Sequence, residues 1–156
     1  MLTERMLIMR VVKAKRQMGA SPDKVWGVLA DFPNIAAWNN GVNRSYATSD
    51  ATAGVGAKRH CDLAPVGALE ETVIGWDEEK QMEIRIDSAS KLPIAHGLAT
   101  ITLSGADTAT DVSVEYSYKP KFGFLGHLMG RFMLDGQFTK GFTSFLKDLE
   151  QASRKA

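Results

Sequence analysis

Two charged residues, Arg59 and Glu71, stand in strand-like runs whose neighbouring positions of the same parity are apolar. Side chains alternate faces along a strand, so Arg59, Cys61 and Leu63 share one face. Leu69, Glu71 and Val73 share one face of the next run. The apolar neighbours mark both faces as inward. A charge taken out of water needs a partner. Three readings stay open: the two residues pair with each other or reach a cavity mouth, they grip the polar end of a ligand, or Glu71 moves protons as an acid or base.

The other reactive residue types offer less. His60, His96 and His127 are scattered over two strand-like runs and a helix start, without a zinc-type ligand cluster, so no metal and no cofactor are expected. His60 and Cys61 are adjacent, so their side chains point to opposite faces, and no base can be placed for a Cys61 nucleophile. A buried cysteine is ordinarily packing. Gly54-Val55-Gly56 reads as a hairpin turn, because no lysine and helix follow it as in a phosphate loop. Of the tryptophans, Trp26 is expected in the core and Trp38 partly facing a cavity.

Local pattern supplies the elements that must position these residues. Arg10 to Met18 alternates as a half-buried strand. Ser21 suits a helix N-cap, Pro22 the first helical position and Asp23 the positive end of the helix dipole. Val25, Trp26, Val28, Leu29 and Phe32 form the stripe of a short helix. Pro33 stops that helix and starts a second, shorter one ending near Trp38. Strands are then predicted over Val42–Thr48, Ala57–Leu63, Leu69–Trp76 and Gln81–Asp87, with turns at Asn39-Asn40-Gly41, Pro65-Val66-Gly67 and Asp77-Glu78-Glu79. Ser88 to Pro93 is a loop. Ala95–Ser104 and Asp111–Lys119 form a last hairpin around Gly105.

From about Phe124 to Ser153 the period becomes helical: Phe138, Phe142, Phe145 and Leu149 recur on one face. Gly126, Gly130, Gly136 and Gly141 each cost about 1 kcal/mol there relative to alanine. Either the start of this helix is broken, or the missing side chains leave room beside it. Its register is open, and with it which of Met133, Gln137, Phe138 and Gly141 reach that room.

The 156 residues suit one domain spanning 1–156. With 44% apolar residues, 24% charged residues and a net charge of +1, the composition is that of a globular protein without a nucleic-acid footprint. The single cysteine excludes an internal disulfide and makes a reducing cytoplasm the expected compartment. No run reaches the roughly 18 apolar residues of a membrane span. Met6 to Met9 is too short for a signal-peptide core and lacks a cleavage site after it. Methionines at 1, 6 and 9 offer alternative starts.

Taken in order, Ser21-Pro22-Asp23-Lys24-Val25-Trp26, Trp38, Gly54-Val55-Gly56, Glu71 and Lys91-Leu92-Pro93-Ile94 resemble the SRPBCC (START/Bet v1-like) superfamily, and within it the bacterial polyketide cyclase/dehydrase and lipid-transport group. The resemblance runs from about Arg10 to Gln151. It implies an α+β helix-grip fold: a seven-stranded antiparallel sheet wrapped around a long C-terminal helix, with two short helices after the first strand and a cavity between sheet and helix. It also implies mobile gate loops at Ala64–Ala68 and Ser90–Pro93. In related plant receptors the residue matching Glu71 helps anchor ligand through water. Asn39 falls where those receptors carry a ligand-pairing lysine. Gly97 stands where many members have tyrosine, which suggests a wider pocket. Glu115 matches an acidic family position, although Val112, Val114, Tyr116 and Tyr118 form the apolar set of its strand and parity points Glu115 outward.

The expected function is binding of a small, mostly hydrophobic molecule, lipid or polyketide-like, by a monomer or homodimer. Leu63, Leu69, Val73, Met82, Ile84, Ile86, Leu92, Phe138 and Phe145 would supply apolar contacts beside Trp38, Asn39, Cys61 and Gly97. Arg59 and Glu71 would orient a polar end, and Glu71→Gln is expected to shift ligand preference with little effect on folding. The alternatives are a cyclase or dehydratase using the same cavity, and an interaction module whose cavity its own side chains fill.

Overall fold

The alternation of apolar and polar residues in Arg10–Met18 folds that stretch as strand β1, with Val12 and Met18 buried on one side. The computed structural model describes residues 9–156, so the short apolar run that begins at Met6 lies almost wholly outside the described residues. Helix α1 spans Pro22–Ala30 and buries Val25, Trp26 and Leu29. Ser21 takes the N-cap position with extended backbone, but its hydroxyl makes no capping hydrogen bond. A 3-10 helix over Phe32–Ala37 follows directly, because Pro33 cannot continue the α-helix.

This helical pair carries the chain from one sheet edge to the other. Strands β2 (Val42–Ala47), β3 (Lys58–Leu63), β4 (Ala68–Asp77), β5 (Gln81–Ser90), β6 (Ile94–Ala106) and β7 (Ala109–Pro120) then pair in turn, and β1 closes beside β7. The order is β1-β7-β6-β5-β4-β3-β2, antiparallel throughout. The strand expected to end at Asp87 runs on to Ser90, leaving three residues to turn into β6.

The C-terminal helical segment is broken where its glycines gather. Helix α2 spans Gly123–Met129, a π-helical turn covers Gly130–Leu134, and α3 runs over Asp135–Lys155. Among the described residues no helix is long and apolar enough to cross a membrane.

Both ends of α3 are tied to the sheet side. At its start, Asp135 accepts hydrogen bonds from Arg10 Nη2 at 2.6 Å and from the Tyr118 hydroxyl at 2.5 Å. Near its end, Glu150 accepts from Arg16 Nε and from the Gly19 backbone N–H, both at 2.9 Å. Asp148 accepts from the Asn40 backbone N–H at 2.9 Å. Between these ties Phe138, Phe142 and Phe145 face the sheet. They are only half-buried, because the space between the helix and the concave face of the sheet is not filled.

Candidate functional site

That space is a cavity of about 270 Å³, bounded by α1, the 3-10 helix, β3 to β7 and α3. Its walls are mainly apolar. Thirteen of the residues expected from sequence line it: Trp38, Asn39, Arg59, Cys61, Leu63, Leu69, Glu71, Met82, Ile84, Ile86, Leu92, Phe138 and Phe145. Of the four helix positions left open, Phe138 and Gly141 reach the cavity. Met133 instead lies 52% exposed on the surface.

Three expected residues stand elsewhere. Val73 is sealed in the main core and does not line the cavity. Glu115 projects from the outer face of β7, as parity required, and reaches Lys13 at 3.7 Å across the β1–β7 pair. Gly97 does not line the cavity or widen it. A Cβ built there would fall 2.7 Å from the Tyr116 hydroxyl and 2.9 Å from Ile86 Cγ1. The volume that glycine frees on β6 is taken by the phenol of β7.

The charged pair is formed directly. Arg59 and Glu71 are opposite each other in the β3–β4 register. Arg59 Nε donates to Glu71 Oε2 at 2.6 Å, and the two side chains are 7% and 9% exposed. Arg59 also donates to the Phe32 carbonyl at 2.9 Å and lays its guanidinium 3.9 Å over the Phe32 ring. The Cys61 thiol donates to the same Glu71 oxygen at 3.5 Å. Burial, together with the nearby Glu71 charge, pushes the Cys61 thiol up to about 12, so the thiolate required of a nucleophile is suppressed.

Part of this polar cluster remains unsatisfied. Glu71 Oε1 and the Tyr116 hydroxyl have no hydrogen-bond partner among the described residues, yet neither is sealed from the cavity. The register runs Glu71–Ile86–Gly97 across β4, β5 and β6. The Tyr116 hydroxyl sits over the Gly97 end of that row, beside Ile86. Burial and then the Glu71 charge raise its pKa, so Tyr116 is a neutral hydrogen-bond donor at ordinary pH. Trp38 stacks obliquely on Phe145 at 5.3 Å, and its indole Nε1 is sealed without a partner among the described residues.

Sequence reasoning missed the floor and far wall of the cavity, including Val28, Phe32, Ile35, Ile101, Val114, Tyr116 and Phe142. Tyr116 carried a signal, since it belongs to the inward apolar set of β7 and has a polar tip. His60 lies on the opposite face of β3 from Cys61. It pairs there with Glu70 and with Asp62, the latter at 2.8 Å. The two expected gate loops touch one another: Gly67 packs against the side chain of Leu92, which lines the cavity.

A curled antiparallel sheet gripping a C-terminal helix, with two short helices after the first strand, defines a START/Bet v1-like protein of the SRPBCC superfamily. The chain belongs to the polyketide cyclase / dehydrase and lipid transport family, whose model matches residues 9–153. Solved structures share the fold at low identity. The Zhui aromatase/cyclase of a Streptomyces species is 18% identical with a TM-score of 0.77, covering 94% of each chain. A START superfamily protein from Mycobacterium smegmatis is 13% identical with a TM-score of 0.77, covering 93% of this chain and 97% of that one. A norcoclaurine synthase variant from Thalictrum flavum is 16% identical with a TM-score of 0.70, covering 95% and 96%. At such identity these likenesses establish the fold alone. No curated protein sequence matches the chain significantly.

Proposed function

We propose that this protein binds a compact, mostly hydrophobic molecule in the cavity between sheet and α3, with a polar end held by Glu71, Arg59 and Tyr116. The observation that carries the reading is a buried carboxylate with one oxygen satisfied by Arg59 and the other open to an apolar space. Ligand sites typically combine an apolar lining with a few placed polar groups, and run from about 300 Å³ upward. At about 270 Å³ the cavity suits a compact ring system or short chain better than a two-chain phospholipid. Removing apolar area from water supplies most of the affinity, at about 25 cal/mol per Å², and Glu71 with Tyr116 supplies selectivity. The loops at Ala64–Ala68 and Ser90–Pro93 act as the gate. The protein works as one helix-grip unit in the cytoplasm, as a monomer or homodimer, without a cofactor.

One observation favours catalysis as a second reading. A free carboxylate oxygen and a neutral phenol facing one apolar space could serve as base and acid in a cyclisation or dehydration of a polyketide-like substrate.

Native mass spectrometry of freshly purified protein, followed by extraction, tests binding. A stoichiometric apolar adduct is expected, and Glu71→Gln should change which members of a ligand panel are retained. A clean unliganded mass that persists across the whole panel would overturn the binding reading. Turnover abolished in Glu71→Gln while binding survives would move the assignment to the enzyme.

A further inference from the structure

The segment from Phe122 to Leu134 reverses the usual arrangement of an amphipathic helix. Its inner face is made of Gly126, Gly130 and Leu134, all buried. A side chain at Gly126 would collide with the Lys121 carbonyl, and one at Gly130 would press on Arg10. The segment is thus held close to β7 by its smallest residues, and its largest apolar side chains are turned outward. Phe122, Phe124, Leu125 and Phe132 are between 69 and 78% exposed. Phe122 also holds a left-handed backbone conformation with φ of 71°, uncommon for a bulky residue and a feature that gathers at functional sites.

The loops around this patch are basic, and the acidic residue next to it, Asp135, is paired with Arg10. Ala68 pairs with Ser90, Ile94 pairs with Pro120, and the Lys121 N–H donates to the Pro93 carbonyl at 2.9 Å. These links bring the turn after β3, the loop after β5 and the end of β7 to one end of the molecule. The three stretches meeting there, residues 63–69, 88–98 and 116–134, contain no aspartate or glutamate but carry Lys91, Lys119, Lys121 and Arg131. The same end holds Val66, half-exposed on the first loop, and Leu92, which lines the cavity.

We propose that this end is a docking face for an anionic lipid bilayer, with Phe122, Phe124, Leu125 and Phe132 entering the interface and the lysines and Arg131 meeting the headgroups. Exposed apolar side chains flanked by cations are the chemistry of interfacial attachment. Leu92 and Ile94, beside Lys91, line the cavity at this end, so a hydrophobic molecule dissolved in the bilayer would reach the cavity without crossing water. That delivery route rests on the proposed cavity binding; the docking face does not.

The test is flotation with vesicles of two parts phosphatidylcholine to one part phosphatidylglycerol, against pure phosphatidylcholine. The wild-type chain should float with the mixed vesicles, weakly with the neutral ones, and less as salt is added. Phe124→Ser with Leu125→Ser should lower flotation by roughly tenfold or more, and Lys119→Glu with Lys121→Glu should remove the preference for anionic vesicles. All four side chains lie outside the core, and circular dichroism checks that the variants fold. Wild-type protein left in the soluble fraction, or variants that float like wild type, would overturn the proposal. So would sedimentation showing that the apolar patch is buried in a dimer which the serine variants dissociate. Native mass spectrometry on the same preparations separates the two readings: an adduct without flotation overturns docking alone, and flotation without an adduct overturns cavity binding alone.

Discussion

Arg59 and Glu71 face each other across β3 and β4 and meet at 2.6 Å with little of either side chain exposed. Arg59 supplies the partner that the buried carboxylate needs, one of the arrangements that parity left open. It also changes the expectation for substitution. Neutralising either residue alone leaves the other charge stranded, so Glu71→Gln carries a folding cost that the sequence did not suggest.

The pair should therefore behave non-additively. Arg59→Met should cost about 3–5 kcal/mol in denaturant unfolding, because it strands the Glu71 charge. Arg59→Met combined with Glu71→Leu should recover most of that loss. A double variant as unstable as the single one would show that the ion pair is not the source of the cost.

Gly141 lies on the cavity side of α3, and a Cβ there meets no heavy atom within 4 Å. Gly141→Ala should raise stability by about 1 kcal/mol through helix propensity with little loss of ligand. Gly141→Phe should project into the cavity and weaken ligand retention by about tenfold or more, since the occupied volume is no longer free. Equal ligand retention in Gly141→Phe and wild type would place the ligand elsewhere.

Most of the framework is legible in the residues. Alternation in Arg10–Met18 and Gln81–Asp87, with turn signals between the other runs, placed all seven strands, and Phe138, Phe142 and Phe145 marked the helix face over the cavity. Three things were not legible, each for a tertiary reason. The use of Gly97 depends on a tyrosine two strand positions away from its partner in the β6–β7 register, which no local pattern encodes. The π turn over Gly130–Leu134 begins where Gly130 approaches Arg10 and Tyr118 too closely for a side chain. Val73 shares parity with Glu71, but it lies farther along β4, where it pairs with Ile84, bonds through its backbone to Gly56 and Ala57 and is fully buried in the core.

The Cys61 thiol should be inert in the folded protein. With its pKa pushed up to about 12 by burial and by the Glu71 charge, almost no thiolate exists at neutral pH. A disulfide reagent such as Ellman's should modify Cys61 only as fast as the protein unfolds, with full reaction in denaturant. Rapid, stoichiometric labelling of native protein would contradict both the burial and the electrostatics.

His60 should give stability a pH dependence of definite sign. It is held between Glu70 and Asp62 on the outer face of β3, with Tyr46 stacked at 5.0 Å. Hydrogen bonds to Glu70 first and then Asp62 raise its pKa above the ordinary value. A group whose folded pKa is raised contributes in full below its unfolded pKa, about 6.5 for histidine. The contribution fades as pH rises through the higher folded value. Wild-type protein should therefore lose part of its stability to urea as pH rises from the unfolded histidine value of about 6.5 through the higher folded value, and His60→Gln should lose less over the same rise. Proton NMR should place the His60 titration midpoint above 6.5. A midpoint at or below that value, or an equal loss in His60→Gln, would remove His60 as the source.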